Sequence, residues 1–269
     1  MSNYVSKCGE IISLDTRTTI SVRYKTITRA INNEFWGSSS DTLHSLYVGS
    51  YGRGTAINTS DIDVLVQLPR SEYLRYDTYK GNGQSRLLQA VKHAILSRYP
   101  RTEVRADGQV IQMFFSDGIK FEVLPAFSST NWNGNTVYEY PDTNMGGNWR
   151  STSPKSEQDA MRKKNTITNG LLIDTCKHMR YIRDNYFSSY HLSGIVIDSF
   201  VYNAIGNWSW AEPASTSIAA IGEYESALYN NYWSFCRYTN VINAPGSNQP
   251  VDLSSSRDCL EKVLYKMSQ

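Results

Sequence analysis

Gly49-Ser50 closes the apolar run Leu46-Tyr47-Val48, and after ten intervening residues Asp61-Ile62-Asp63 opens a second apolar run, Val64-Leu65-Val66. In a strand, successive side chains point to opposite faces, so Asp61 and Asp63 share one face while Ile62 turns into the core. Two neighbouring carboxylates repel each other unless a cation sits between them. The hard, oxygen-seeking Mg²⁺ that accompanies nucleoside triphosphates suits that donor set, and a Gly-Ser turn supplies backbone N–H groups and a hydroxyl for phosphates. The chain is thereby constrained to a strand, a tight turn and a second strand that starts with paired acids.

Composition excludes several alternatives. At 269 residues the chain can bury a sizeable core, and 40% hydrophobic with 19% charged residues is ordinary globular usage. A net charge of +2 argues against a broad basic platform for duplex nucleic acid. The cysteines Cys8, Cys176, Cys236 and Cys259 lie far apart and lack zinc spacing, and His44, His93, His178 and His191 are equally scattered. Neither a structural zinc nor a Ser-His-Asp arrangement is expected. Without a signal peptide or an apolar run approaching about 18 residues, the expectation is a soluble cytoplasmic protein with reduced thiols and no membrane association.

Periodicity orders the rest. Ile20, Tyr24, Ile27, Ile31 and Phe35 recur at helical spacing and predict a helix from Thr18 to Trp36. Strands are expected at Leu43 to Val48 and Ile62 to Gln67, and a second helix at Gly83 to Tyr99. Three further strands, Thr102 to Arg105, Gln109 to Phe115 and Lys120 to Leu124, are separated by the hairpin signals Asp107-Gly108 and Asp117-Gly118. Ser128 to Pro154, rich in Asn, Gly, Thr and Ser, reads as a long irregular connection. Helices are then predicted at Ser156 to Tyr186, Leu192 to Trp208, Ile218 to Tyr238 and Ser256 to Lys266. A β-rich half joined to an α-rich half suggests an α+β protein of two lobes with a cleft between them.

Two-metal phosphoryl transfer uses a third acid, since one ion activates the attacking hydroxyl while the other carries the triphosphate. Glu122 is the candidate. It alternates with Phe121 and Val123, and the preceding hairpin can lay its strand beside Asp61 and Asp63. Lys177 and Arg180, three apart on a helix, can share a face and screen a triphosphate.

The segment Gly49-Ser50-Tyr51-Gly52-Arg53-Gly54-Thr55-Ala56-Ile57, followed by Ser60-Asp61-Ile62-Asp63-Val64-Leu65-Val66, resembles the core of the cGAS/DncV-like nucleotidyltransferases, within the polymerase-β-like superfamily. Phe121-Glu122-Val123-Leu124-Pro125-Ala126 is similar to the family's third-acid strand, although the family commonly has aspartate where this chain has Glu122. Gly147-Asn148-Trp149-Arg150 through Pro154, then Asn165, is similar to its passage into the helical lobe, and Lys177-His178-Met179-Arg180-Tyr181-Ile182-Arg183 to its basic spine helix. Phe187-Ser188-Ser189-Tyr190-His191-Leu192 resembles the segment in which a serine contacts phosphate and a tyrosine stacks on the donor base.

The resemblance implies a two-lobed polymerase-β-like fold, with a mixed β-sheet nucleotidyltransferase core and spine helix over residues 1–150 and a helical lobe over 151–269. It implies condensation of nucleoside triphosphates into a cyclic or short linear oligonucleotide messenger with release of pyrophosphate, in bacterial antiphage signalling. Asp61, Asp63 and Glu122 would hold two Mg²⁺ per site, with Mn²⁺ as a substitute. Gly49, Ser50, Lys177, Arg180, Ser189 and Tyr190 would bind nucleotide. A protein activator or effector encoded nearby is an implied partner, whereas double-stranded DNA is not, because the zinc module that grips DNA in animal relatives has no counterpart. Two alternatives stay open: a transferase acting on RNA, protein or a small molecule, and a non-enzymatic nucleotide sensor.

Overall fold

The computed structural model describes residues 3–9, 11–58, 60–131, 134, 136–211 and 222–269. The chain forms two compact units that interleave along the sequence. One comprises residues 12–52 and 61–153, and the other residues 1–11, 53–60 and 154–269. The sequence-based division at residue 150 has two contiguous segments instead. It does not anticipate that the N-terminal stretch and the 53–60 loop pack with the helices.

In the sheet unit, helix α1 spans Leu14–Ile31 and a π-helical turn continues it over Asn32–Trp36. It starts earlier than apolar periodicity suggests because Ser13 caps it, its side chain accepting from Thr16 N at 3.2 Å. Ile20, Ile27, Ala30 and Ile31 form its buried stripe. Strand β1 (Ser45–Tyr47), the single helical turn α2 (Gly49–Gly52) and strand β2 (Ile62–Gln67) follow. Next come α3 (Arg70–Asp77), unforeseen in the sequence, and α4 (Gly83–Leu96), which buries Leu87, Leu88, Val91, Ala94 and Ile95.

Strands β3 (Glu103–Asp107), β4 (Val110–Phe114), β5 (Lys120–Thr130), β6 (Thr136–Asp142) and β7 (Asn148–Thr152) complete a mixed seven-stranded sheet with the path β1-β2-β5-β4-β3, β6 and β7 continuing from β5. Gly108 and Gly118, at φ 58° and 84°, make the turns before and after β4 that their Asp-Gly pairs signalled. Among the described residues, only β2 and β5 pair in parallel. Val64, Leu65, Val66, Ile111, Met113, Phe121, Val123 and Phe127 are fully buried, each such side chain contributing about 1.5–3 kcal/mol.

The expected irregular connection from Ser128 to Pro154 is overturned. Strand β5 runs on to Thr130 and pairs with β6, which pairs with β7. Polar composition hid these strands because they have few inward side chains: Tyr138 is buried on β6, while Asn148 to Thr152 has no buried residue. Trp149 supplies the apolar anchor by packing on Tyr73 and Phe127.

The helical unit contains α5 (Pro154–Ile167), α6 (Leu171–Tyr186), α7 (Gly194–Ala204) and α8 (Glu223–Asn231), a small β8/β9 hairpin (Val241–Asn243, Pro250–Asp252), and α9 (Arg257–Met267). The single helix expected from Ser156 to Tyr186 is two. Asn169 and Gly170 adopt φ 50° and 95°, a left-handed pair that ends α5 and restarts the chain. The helix expected from Ile218 to Tyr238 is described from Glu223; its first residues lie outside the described set. Leu172, Cys176, Met179, Val196, Ile197, Phe200, Val201, Leu260, Val263 and Leu264 build this unit's core. All four cysteines are free. Among the described residues no helix is long and apolar enough to cross a membrane.

Candidate active site

Strand register assembles the acids. In the parallel β2/β5 pair Asp63 is the register partner of Glu122, and buried Ile62 and Val64 are the partners of buried Phe121 and Val123. Alternation therefore sends Asp63 and Glu122 to the other face together. Asp61 directly precedes β2 and is more open, its side chain 46% exposed.

The Gly49 turn approaches the same place. Val48 N donates to Asp63 O at 2.9 Å, tying the end of the first apolar run to the second acid. Gly49 has φ 58°, and a Cβ built there would lie 1.8 Å from Asp63 Oδ2. Only glycine both adopts this backbone and leaves room for the carboxylate. Gly52 N donates to Val48 O at 2.9 Å and closes the turn that carries Ser50.

Two alanine variants separate these two demands on Gly49. Gly49→Ala places its methyl group in the Asp63 carboxylate, so the acid shifts and turnover falls by about 100-fold, as misplacement by an ångström can cause. Gly118→Ala is the control. It bears the same kind of left-handed strain, at φ 84°, with nothing within 4 Å of the added carbon. Gly118→Ala loses about 1–2 kcal/mol of stability through left-handed strain, Gly49→Ala loses more because of the added clash, and only Gly49→Ala loses rate. Melting temperatures and turnover of the two proteins check this.

Two residues at the acids carry no sequence signal of their own. Lys120, two positions before Glu122 on the same strand face, places Nζ 2.6 Å from Glu122 Oε1 and 3.1 Å from Asp61 Oδ2. Partial burial lowers its pKa, but its hydrogen bonds to Glu122 and Asp61 more than offset this, so the pKa is raised and the ammonium stays charged. Gln112, the β4 register partner of Glu122, donates from Nε2 to the same Oε1 at 3.2 Å. Among the described residues no three His, Cys, Asp or Glu side chains are already gathered to hold a metal. The geometry explains this: Asp61 and Glu122 turn to Lys120, and Asp63 lies against Gly49. By donor chemistry the three carboxylates fit a hard divalent cation.

Lys177, Arg180, Ser189 and Tyr190 belong to the helical unit. Arg180 departs from the expectation of a phosphate ligand. Its side chain is 1% exposed and bonds to Asp198 Oδ1 at 2.7 Å, Gly194 O at 2.9 Å and Cys176 O at 3.2 Å. Asp198 also accepts from Arg53 Nε at 2.8 Å and Thr55 Oγ1 at 3.0 Å, and Arg53 reaches Glu157 at 3.0 Å. This buried cluster anchors the loop that joins the Gly-Ser turn to the paired aspartates. Sequence spacing could not reveal it, because Asp198 is 143 positions from Thr55.

Lys177 is partly exposed on α6. Its charge helps lower the pKa of Asp174 and Cys8 against the upward push of burial. Ser189 is exposed. Tyr190 is 45% exposed, with Phe187 edge-on at 6.5 Å and Lys262 Nζ 5.0 Å over its ring. It is therefore no core residue.

Known proteins agree with this architecture. The chain resembles a probable cyclic nucleotide synthase of Bacillus cereus, with 23% identity over 188 residues, 66% of this chain. It spans about half the length of that curated relative, 54%. The fold is similar to that of the Elizabethkingia meningoseptica CdnE cyclic dinucleotide synthase, solved with GTP and Apcpp, at TM-score 0.64 and 15% identity, covering 98% of this chain and 94% of that one. It is also similar to the Rhodothermus marinus CdnE c-UMP-AMP synthase, at TM-score 0.63 and 17% identity, covering 93% and 90%. These likenesses bear out a fold with a mixed β-sheet unit and an α-helical unit. Residues 2–165 match the Second Messenger Oligonucleotide or Dinucleotide Synthetase domain, and with that the chain belongs to this family, among the cGAS/DncV-like nucleotidyltransferases.

Proposed function

We propose that this protein is a divalent-metal-dependent nucleotidyltransferase that condenses nucleoside triphosphates into a cyclic or short linear oligonucleotide messenger, releasing pyrophosphate, in antiphage signalling. The observation that carries this reading is the register of Asp63 with Glu122 beside the Gly49 turn, which brings acids and phosphate-binding backbone to one end of β2 and β5. Membership of the family implies dependence on a divalent metal. Asp61, Asp63 and Glu122 would hold two Mg²⁺, or Mn²⁺ in their place. When bound, such ions lower the pKa of the acceptor hydroxyl and neutralise charge on the departing pyrophosphate.

The chain's own groups do the rest. The Gly49-Ser50 turn offers N–H groups and a hydroxyl to the donor triphosphate. Asp63, held against Gly49, is fixed in position, and Gln112 orients Glu122. Lys177 and Ser189 supply a cation and a hydroxyl for phosphate, while the Arg180 guanidinium is spent on Asp198. Incubating purified protein with the four labelled triphosphates and Mg²⁺ or Mn²⁺ tests the reading. Phosphatase-resistant phosphodiester products, identified by mass spectrometry, are expected, and recovery of unreacted triphosphates alone rejects it.

Tyr190 serves as the base-stacking ring in this proposal. Tyr190→Ala weakens nucleotide binding by about 1–3 kcal/mol, whereas Tyr190→Phe keeps the π face and binds as the parent does. Because the ring is half-exposed, neither variant shows the about 3–5 kcal/mol loss typical of truncating a core aromatic. Calorimetric titration and thermal melts of both variants decide the matter. An Ala variant with unchanged affinity removes Tyr190 from the site.

A further inference from the structure

The acids of the proposed metal site are already bridged by a cation that the chain itself supplies. Asp61 and Glu122 lie at the starts of adjacent strands, and Lys120 Nζ sits between them, 3.1 Å from Asp61 Oδ2 and 2.6 Å from Glu122 Oε1. The Oε1 atom also accepts from Gln112 at 3.2 Å, so both its lone pairs are engaged by N–H donors. Coordination of a metal through that oxygen requires those donors to yield.

We propose that Lys120 is a positioning residue that keeps Asp61 and Glu122 together before metal arrives and competes with the divalent ion for them, so that filling the site requires its displacement. The inference rests on the metal-site reading of Asp61, Asp63 and Glu122. Lysine suits the task better than arginine: a compact, strongly hydrated charge on a flexible four-carbon stem can leave the acids without moving the backbone. Neighbouring carboxylates without metal would otherwise splay apart through repulsion. The side chain is 24% exposed, which gives the displaced ammonium access to solvent.

The experiment measures Mn²⁺ binding to the full chain without nucleotide, by the loss of the free-ion electron paramagnetic signal. Lys120→Met and Lys120→Gln remove the charge, Lys120→Arg keeps it, and an Asp61→Asn/Asp63→Asn protein marks binding at other places. Lys120→Met and Lys120→Gln are expected to bind Mn²⁺ roughly three- to tenfold tighter than the parent, the competition of two partly shielded ion pairs having been removed. Lys120→Arg, which keeps the charge but yields less readily, binds Mn²⁺ no tighter than the parent. Without metal, the Met and Gln variants melt below the parent, and Mn²⁺ closes the gap. Equal Mn²⁺ affinity in the parent, Met and Gln proteins, lost in the double asparagine variant, overturns the role of Lys120 and leaves the metal site standing. Absence of Mn²⁺ binding dependent on Asp61 and Asp63 in every protein overturns both.

Discussion

Replacing Asp61 and Asp63 together with asparagine is expected to lower nucleotide transfer by at least about a thousandfold, while the protein remains folded. Metal coordination supplies several kcal/mol of transition-state stabilisation, and each 1.36 kcal/mol is about tenfold in rate. Asparagine keeps the shape of each side chain, and the amide of residue 63 still fits the space beside Gly49, so the loss isolates charge. Relief of repulsion between the two acids would raise stability slightly, but Asp61 is paired with Lys120 at 3.1 Å, and that pair is lost. With Asp61 46% exposed, such a pair is worth roughly 0–1 kcal/mol, so the two effects nearly cancel and the melting temperature changes little. Single-turnover rates and thermal melts of the double variant check both halves. Transfer at the parent's rate would remove the aspartates from the chemistry.

What could be read in the sequence follows from how local each signal is. Asp61, Asp63, the Gly-Ser turn and strand β2 lie within one short stretch, and alternation alone put the two aspartates on one face and Glu122 opposite Phe121 and Val123 on its own strand. The two Asp-Gly turns order β3, β4 and β5 as a meander, whereas the parallel pairing of β2 with β5 depends on the crossover through α3 and α4. Strands β6 and β7 were missed because β6 buries only Tyr138, Pro141 and Asp142 and β7 buries nothing, its apolar anchor being Trp149, so neither shows an alternating apolar pattern. The break between α5 and α6 rests on Asn169 and Gly170 inside a sequence that stays amphipathic across it. Lys120 and Gln112 gave no signal, since a lysine two residues before an acid and a glutamine on the next strand acquire meaning only once the register is known. Arg180 misled for the complementary reason: helical spacing shows which residues share a face, and cannot show that the face is buried against Asp198.

That burial makes Asp198 the most consequential residue outside the site. Arg180 and Arg53 both point their guanidinium groups at its carboxylate, whose side chain is fully enclosed. Burial alone would raise its pKa, but the charges and hydrogen bonds of the two arginines overcome this and hold it down at about 2. Asp198→Ala strands two buried cations, and the expected loss is about 3–5 kcal/mol of stability. The pH dependence has a definite sign. A carboxyl whose pKa is depressed on folding stabilises the protein above its unfolded value near 3.8 and loses that contribution as pH falls toward about 2. Glu157 acts in the opposite sense, since burial outweighs Arg53 and raises its pKa, so its protonation favours the folded form as the pH falls. Asp198 therefore contributes to the acid limb of unfolding, together with Asp117, Asp142 and Asp252, whose carboxyls are also held below the usual range, and Asp198→Ala should flatten that limb as well as lower the whole curve. Denaturant melts from pH 2 to pH 7 measure both effects. Arg180→Ala should lose stability likewise, with nucleotide affinity per folded molecule unchanged; a selective loss of affinity in a stable Arg180→Ala protein would return Arg180 to the triphosphate.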